Sequence, residues 1–157
     1  MAEQTSREAA RLASTAAGGK LRGASSGDTR ATVITGPATV TWANGDTMGN
    51  RDRIPAGSRI LGAVVSCADM GTSITLDVGL RNFTGDGTGT AIDADGIVAA
   101  YDVATAAVPS AMVGTGALVT SGAEYVTAAD AEPYFTLNGG TPTANAAIRV
   151  TVLYVAP

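Results

Sequence analysis

The clearest pattern in the chain lies between residues 73 and 81. Ile74, Leu76, Val78 and Leu80 alternate with Ser73, Thr75, Asp77, Gly79 and Arg81. A period of two sends successive side chains to opposite faces, so this stretch predicts a β-strand with one dry face and one wet face. The signature returns near the end, where Ile148, Val150, Val152 and Tyr154 alternate with Arg149, Thr151, Leu153 and Val155, and predicts a last strand held inside a sheet. Residues Arg59 to Cys67 are almost continuously apolar after a Pro55-Ala56-Gly57 turn, which predicts a strand buried on both faces. Shorter candidates are Val33-Ile34 before a Gly36-Pro37 turn, Thr39 to Trp42 with Val40 and Trp42 on one face, Ile97 to Tyr101, Glu124 to Val126, and Tyr134 to Leu137.

Turn signals separate these runs. Asn44-Gly45-Asp46 is the preferred chemistry for a tight hairpin. Residues 84–96 (TGDGTGTAIDADG) read as a glycine-rich connection, and Asn138 to Pro142 as a loop. Residues 104–120 are ambiguous, with small residues and isolated valines. About eight short strands, with no helical periodicity after residue 20, define an all-β protein. The architecture expected is an antiparallel β-sandwich, jelly-roll-like by strand count.

The first 30 residues follow another rule. Thr5 with Glu8 can form a capping box, and Ala9, Leu12, Ala13 and Ala16 then share one helical face. That face holds a single large side chain, and a helix of about 12 residues is marginal alone in water. Gly18-Gly19 ends it, and residues 23–27 (GASSG) read as a linker. The division expected is an extended N-terminal arm over 1–30 and a β-sandwich body over 31–157. The arm reads either as a disordered tail or as a segment that orders on a neighbouring subunit.

Composition adds a constraint on the core. Of the 45% hydrophobic residues, 30 are alanines, while Leu, Ile, Val and Phe together number 31. A chain of 157 residues can bury roughly 70% of its unfolded surface, but alanine adds little area. A thin sandwich that gains further burial from neighbours follows, and with it an oligomer or assembly subunit. Charge is unevenly placed. The arm has five basic groups (Arg7, Arg11, Lys20, Arg22, Arg30) against Glu3, Glu8 and Asp28, and the body is acidic. An acidic body argues against nucleic-acid binding, which needs a basic patch to neutralise phosphates. No apolar run approaches a membrane span, and no signal-peptide core is visible, so synthesis and folding in a cytoplasm are expected.

The chemistry available is narrow. There is no histidine, one lysine and one cysteine. Ser-His and Cys-His catalysis, histidine zinc sites and zinc ribbons are excluded, and Lys20 lies in a segment that offers nothing to lower its pKa. Carboxylates remain. Asp86, Asp93 and Asp95 are oxygen donors close together in a glycine-rich stretch, but their spacing departs from an EF-hand loop, so a solvated loop outweighs calcium. GDGTG at 85–89 lacks the lysine and the strand-to-helix context of a phosphate loop. Cys67 and Trp42 read as packing residues. No cofactor and no enzymatic activity are expected.

Residues 53–62 (RIPAGSRILG), 71–80 (GTSITLDVGL), 95–100 (DGIVAA) and the valine-rich 150–155 carry a resemblance. Together they resemble small virion structural proteins of tailed bacteriophages, of the capsid decoration or cement type. The resemblance spans about two fifths of the chain and excludes the arm and residues 106–143. It implies binding to the outer surface of the capsid shell, with the major capsid protein as partner and a homotrimer as the favoured oligomer. On that view Arg7, Arg11, Leu12, Lys20, Leu21 and Arg22 of the arm are the candidate capsid or subunit contacts. The alternatives are a tail, neck or fibre component of a virion, a jelly-roll module binding carbohydrate or a host surface, and, least supported, a carboxylate-only enzyme.

Overall fold

The computed structural model describes residues 28–36, 41–106, 112–121 and 125–157. In chain order the elements are β1 (Thr29–Thr35), β2 (Thr47–Gly49), β3 (Arg59–Cys67), β4 (Thr75–Asn82), β5 (Ala91–Asp102), the single helical turn α1 (Ala117–Thr120), β6 (Ala131–Asn138) and β7 (Ile148–Val155). They form two antiparallel sheets, ordered β1-β7-β3 and β2-β6-β4-β5. On the outer side of β3, isolated antiparallel bridges join Ala63 to Val113 and Arg59 to Val126. Val113 and Val126 thus stand where a fourth strand of the first sheet would lie. With these bridges the two sheets have the strand order of a jelly roll, and the expected all-β sandwich is the observed one.

The alternation read from the sequence is what fills the space between the sheets. Ile74, Leu76, Val78 and Leu80 lie inside, as do Ile148, Val150, Val152 and Tyr154. Phe135 and Leu137 of β6 and Ile34 of β1 meet them, and Trp42 packs on Phe135 with ring centroids 5.9 Å apart. β7 sits between β1 and β3, so the last strand is indeed enclosed. β3 is buried on one face and only half-buried on the other, short of the burial on both faces that its continuous apolar run predicts. Cys67 is buried in the same core, with its Sγ 4.0 Å from Thr105 O.

Five further expectations change. Residues 41–43 form no strand, although Trp42 is buried; Val40 lies outside the described residues. The Asn44-Gly45 turn closes, with Asp46 N–H donating to Ala43 O at 3.1 Å, but it makes no hairpin. Instead Gly45 N–H donates to Leu137 O and Leu137 N–H to Asp46 O, so the turn hooks onto β6, and the short β2 follows it. β5 begins at Ala91, inside the stretch read as a glycine-rich connection. It is an edge strand with one neighbour, and its register against β4 shifts three times. At one of these shifts its backbone folds onto β4, where a Cβ on Gly79 would run into the Asp93 carbonyl; a glycine inside a clean strand pattern marks such close approach. Val126 contributes one bridge rather than a strand, and Glu124 lies outside the described residues. β1 starts at Thr29, within the stretch assigned to the arm.

Replacement of Phe135 by Ala removes a fully buried ring from the centre of this core and should cost about 3–5 kcal/mol. Thr136→Ala, on the half-buried outer face, should change stability by less than about 1 kcal/mol. Urea unfolding of both variants checks the contrast.

Candidate functional site

The arm residues singled out in the sequence, Arg7, Arg11, Leu12, Lys20, Leu21 and Arg22, lie outside the described residues. The body offers two outer sheet faces of opposite character.

The outer face of β1-β7-β3 follows from its register. Successive rows across it are Thr35–Arg149–Ser66, Val33–Thr151–Val64, Ala31–Leu153–Gly62 and Thr29–Val155–Arg59. The middle is apolar, with Val33 43% exposed, while Arg149 and Arg59 stand at opposite ends. Met112, 52% exposed, lies against Gly62 and extends the apolar strip past β3. Exposed large apolar side chains gathered on one face mark a contact surface better than scattered ones do. The signal was present in the sequence, because β7 carries Leu153 and Val155 at positions that should be wet.

The outer face of the other sheet is polar and tightly organised. Arg81 of β4 and Glu132 of β6 are register partners, with Arg81 Nη2 2.6 Å from Glu132 Oε1. Their side chains are 14% and 0% exposed. Arg81 also stacks on the Tyr134 ring, its Cζ 5.1 Å from the centroid. Gly49 of β2 closes over the pair, so that a Cβ there would press on both partners. Farther along β4, Asp77 accepts from Ala100 N–H and from Asn138 Nδ2, both at 2.7 Å. Burial pushes the Tyr134 hydroxyl above its ordinary pKa; Arg81 opposes this, and Asp93, Asp95 and Asp77 add to it. Burial likewise raises Tyr125, with help from Asp93. The pair was not legible because its members are 51 positions apart, although a glutamate within AEPYFTL was the available hint.

The three aspartates of the proposed loop do not act together. Asp86 accepts from Thr84 Oγ1 at 2.7 Å, from Thr88 Oγ1 at 2.7 Å and from Thr88 N–H at 3.0 Å, which lowers its pKa to about 2. Asp93 and Asp95 belong to β5, where burial first and the neighbouring Asp95 second raise the Asp93 pKa. Among the described residues no group of three or more His, Cys, Asp or Glu side chains is placed to hold a metal ion.

No family model and no curated protein matches this chain. Two solved structures share its fold. A chain of the cyanophage Pam1 capsid asymmetric unit is 23% identical with a TM-score of 0.59, and a chain of the capsid of Ralstonia phage GP4 is 21% identical with a TM-score of 0.63. In each case the match covers 83% of this chain and 86% of the other.

Breaking the buried pair on one side strands a charge. Glu132→Leu or Arg81→Met alone should each cost about 3–5 kcal/mol, whereas the double variant should recover most of that loss; a double-mutant cycle by chemical denaturation measures it. The Asp86 carboxyl should titrate near pH 2 by NMR and return toward 3.8 in a Thr84→Ala, Thr88→Ala variant. Because the folded pKa is depressed, whatever stability Asp86 contributes is present above its ordinary value and lost as pH falls through about 2.

Proposed function

We propose that this chain is a non-enzymatic structural protein of a tailed-phage virion that binds the outer surface of the capsid and clamps neighbouring capsid subunits. The observation that carries the reading is the shared fold over 83% of the chain with chains from two phage capsids. It coincides with the sequence resemblance of residues 53–62 and 71–80 to decoration proteins. The partner is the major capsid protein, the favoured oligomer a homotrimer, and the protein is made in the host cytoplasm before joining the particle.

The molecule is suited to the role. The apolar strip of Val33, Val64, Leu153 and Met112, with arginines at its ends, is a surface for close packing against another protein with charges that fix orientation. The arm adds basic groups to an acidic body and would add buried area where it orders against the shell. A capsid location is favoured over tail, neck or fibre because both structures sharing the fold are capsids.

Purified particles lacking the protein, mixed with it and imaged by cryo-electron microscopy, test the reading. The full chain should appear on the outer shell. Residues 28–157 alone should bind weakly while remaining folded, and Leu153→Asp should reduce binding of the full chain by about tenfold or more. Absence of the protein from mature virions overturns the proposal; binding of the truncated body equal to that of the full chain removes the arm from it.

A further inference from the structure

Two Asn-Gly dipeptides, Asn44-Gly45 and Asn138-Gly139, meet where the 41–46 turn hooks onto the end of β6. Asn-Gly is the dipeptide most prone to lose its side-chain amide. The glycine nitrogen attacks the asparagine Cγ, ammonia leaves, and a cyclic imide forms; water then opens the ring to aspartate or isoaspartate. The reaction needs a glycine nitrogen free to give up its proton and an asparagine side chain free to swing over it.

The structure withholds both. Gly45 N–H donates to Leu137 O at 2.7 Å, and Gly139 N–H donates to Asn44 Oδ1 at 3.0 Å. Asn138 Nδ2 donates to Asp77 Oδ2 at 2.7 Å, and Asn138 pairs with Thr75 at the end of the β4–β6 ladder. Gly139 has φ +102°, and a Cβ there would strike the Ser73 carbonyl, so the junction is fixed against β4 as well. The side chain at risk in the first dipeptide is the acceptor that immobilises the attacking nitrogen of the second.

We propose that the two dipeptides form one interlocked unit resistant to deamidation, with Asn44 as its key: loss of the Asn44 acceptor frees Gly139 to attack Asn138. The consequence spreads inward. Aspartate at 138 would set a carboxylate against Asp77 where an amide now donates, replacing attraction by repulsion across β4 and β6.

Incubation of the full chain at 37 °C in mildly alkaline buffer, followed by peptide mass spectrometry, tests it, with the urea-unfolded chain as reference. Both asparagines should react at least about tenfold more slowly in the folded chain, since reaction requires local opening. Asn44→Ala should speed reaction at Asn138 by about fivefold, the change in open population expected from losing one ordinary hydrogen bond. Asn44→Asp keeps an acceptor and should leave the rate at Asn138 near that of the unaltered chain. Asp77→Ser, which frees the Asn138 amide, is the second arm should Asn44→Ala fail to fold, and should also speed reaction at Asn138. Equal rates in the folded and unfolded chain, an unchanged rate at Asn138 in Asn44→Ala, equal behaviour of the Ala and Asp variants, or, where the second arm decides, no acceleration in Asp77→Ser, overturns the proposal.

Discussion

The insertion of β7 between β1 and β3 is the constraint on which the rest of the molecule depends. Among the described residues β1 has no other strand neighbour, and β3 otherwise keeps two isolated bridges. Every inward side chain of β7 is buried, and all belong to the one core that the two sheets share. The register pairs Thr29 with Val155 and Thr35 with Arg149, so the first sheet is assembled from residues far apart in the chain. Such non-local pairing pays its loop-closure entropy before contacts repay it, and folds slowly compared with helical topologies.

The two sheets solve different problems on their outer sides. One leaves valine and leucine in rows with arginine at the ends, which is the character of a surface to be covered. The other buries an ion pair, Arg81 with Glu132, beneath the backbone of β2. A buried pair is weak evidence of stability, because desolvation offsets attraction. Its clearer effect is on register: a slip of β4 against β6 by one residue would leave two charges without partners, so only one alignment of those strands is acceptable.

Period-two text carried the fold. β3, β4 and β7 were legible because their inward positions hold large aliphatic side chains that have no alternative to the core. β5 was legible only over Ile97 to Tyr101; its first half was not, because Asp93 and Asp95 stand among small residues in a glycine-rich stretch with no apolar alternation. The Asn44-Gly45 signal was read correctly as a turn and wrongly as a hairpin; turn chemistry fixes the reversal, while tertiary contacts with β6 decide which strand follows. The polar site was hidden for a related reason, since Arg81, Glu132 and Tyr134 come together only once β4 and β6 are in register. The apolar strip could have been seen: Leu153 and Val155 break the alternation that Arg149 and Thr151 begin.

All the sheet edges in the described residues are closed to further strands, each by a different device. β5 presents aspartates and shifted register, and β2 is only three residues long. β3 is shielded by its bridges to Val113 and Val126. On β1 the Asn50 side chain takes the outward Val33 carbonyl at 3.0 Å and bonds to Asp52, which also receives the Thr32 hydroxyl. Unpaired edges are where β proteins zip into fibres. With these blocked, the described strands offer a neighbouring copy no open edge to extend, so a crowded array of this protein would stay a set of separate bodies rather than fuse into one continuous sheet.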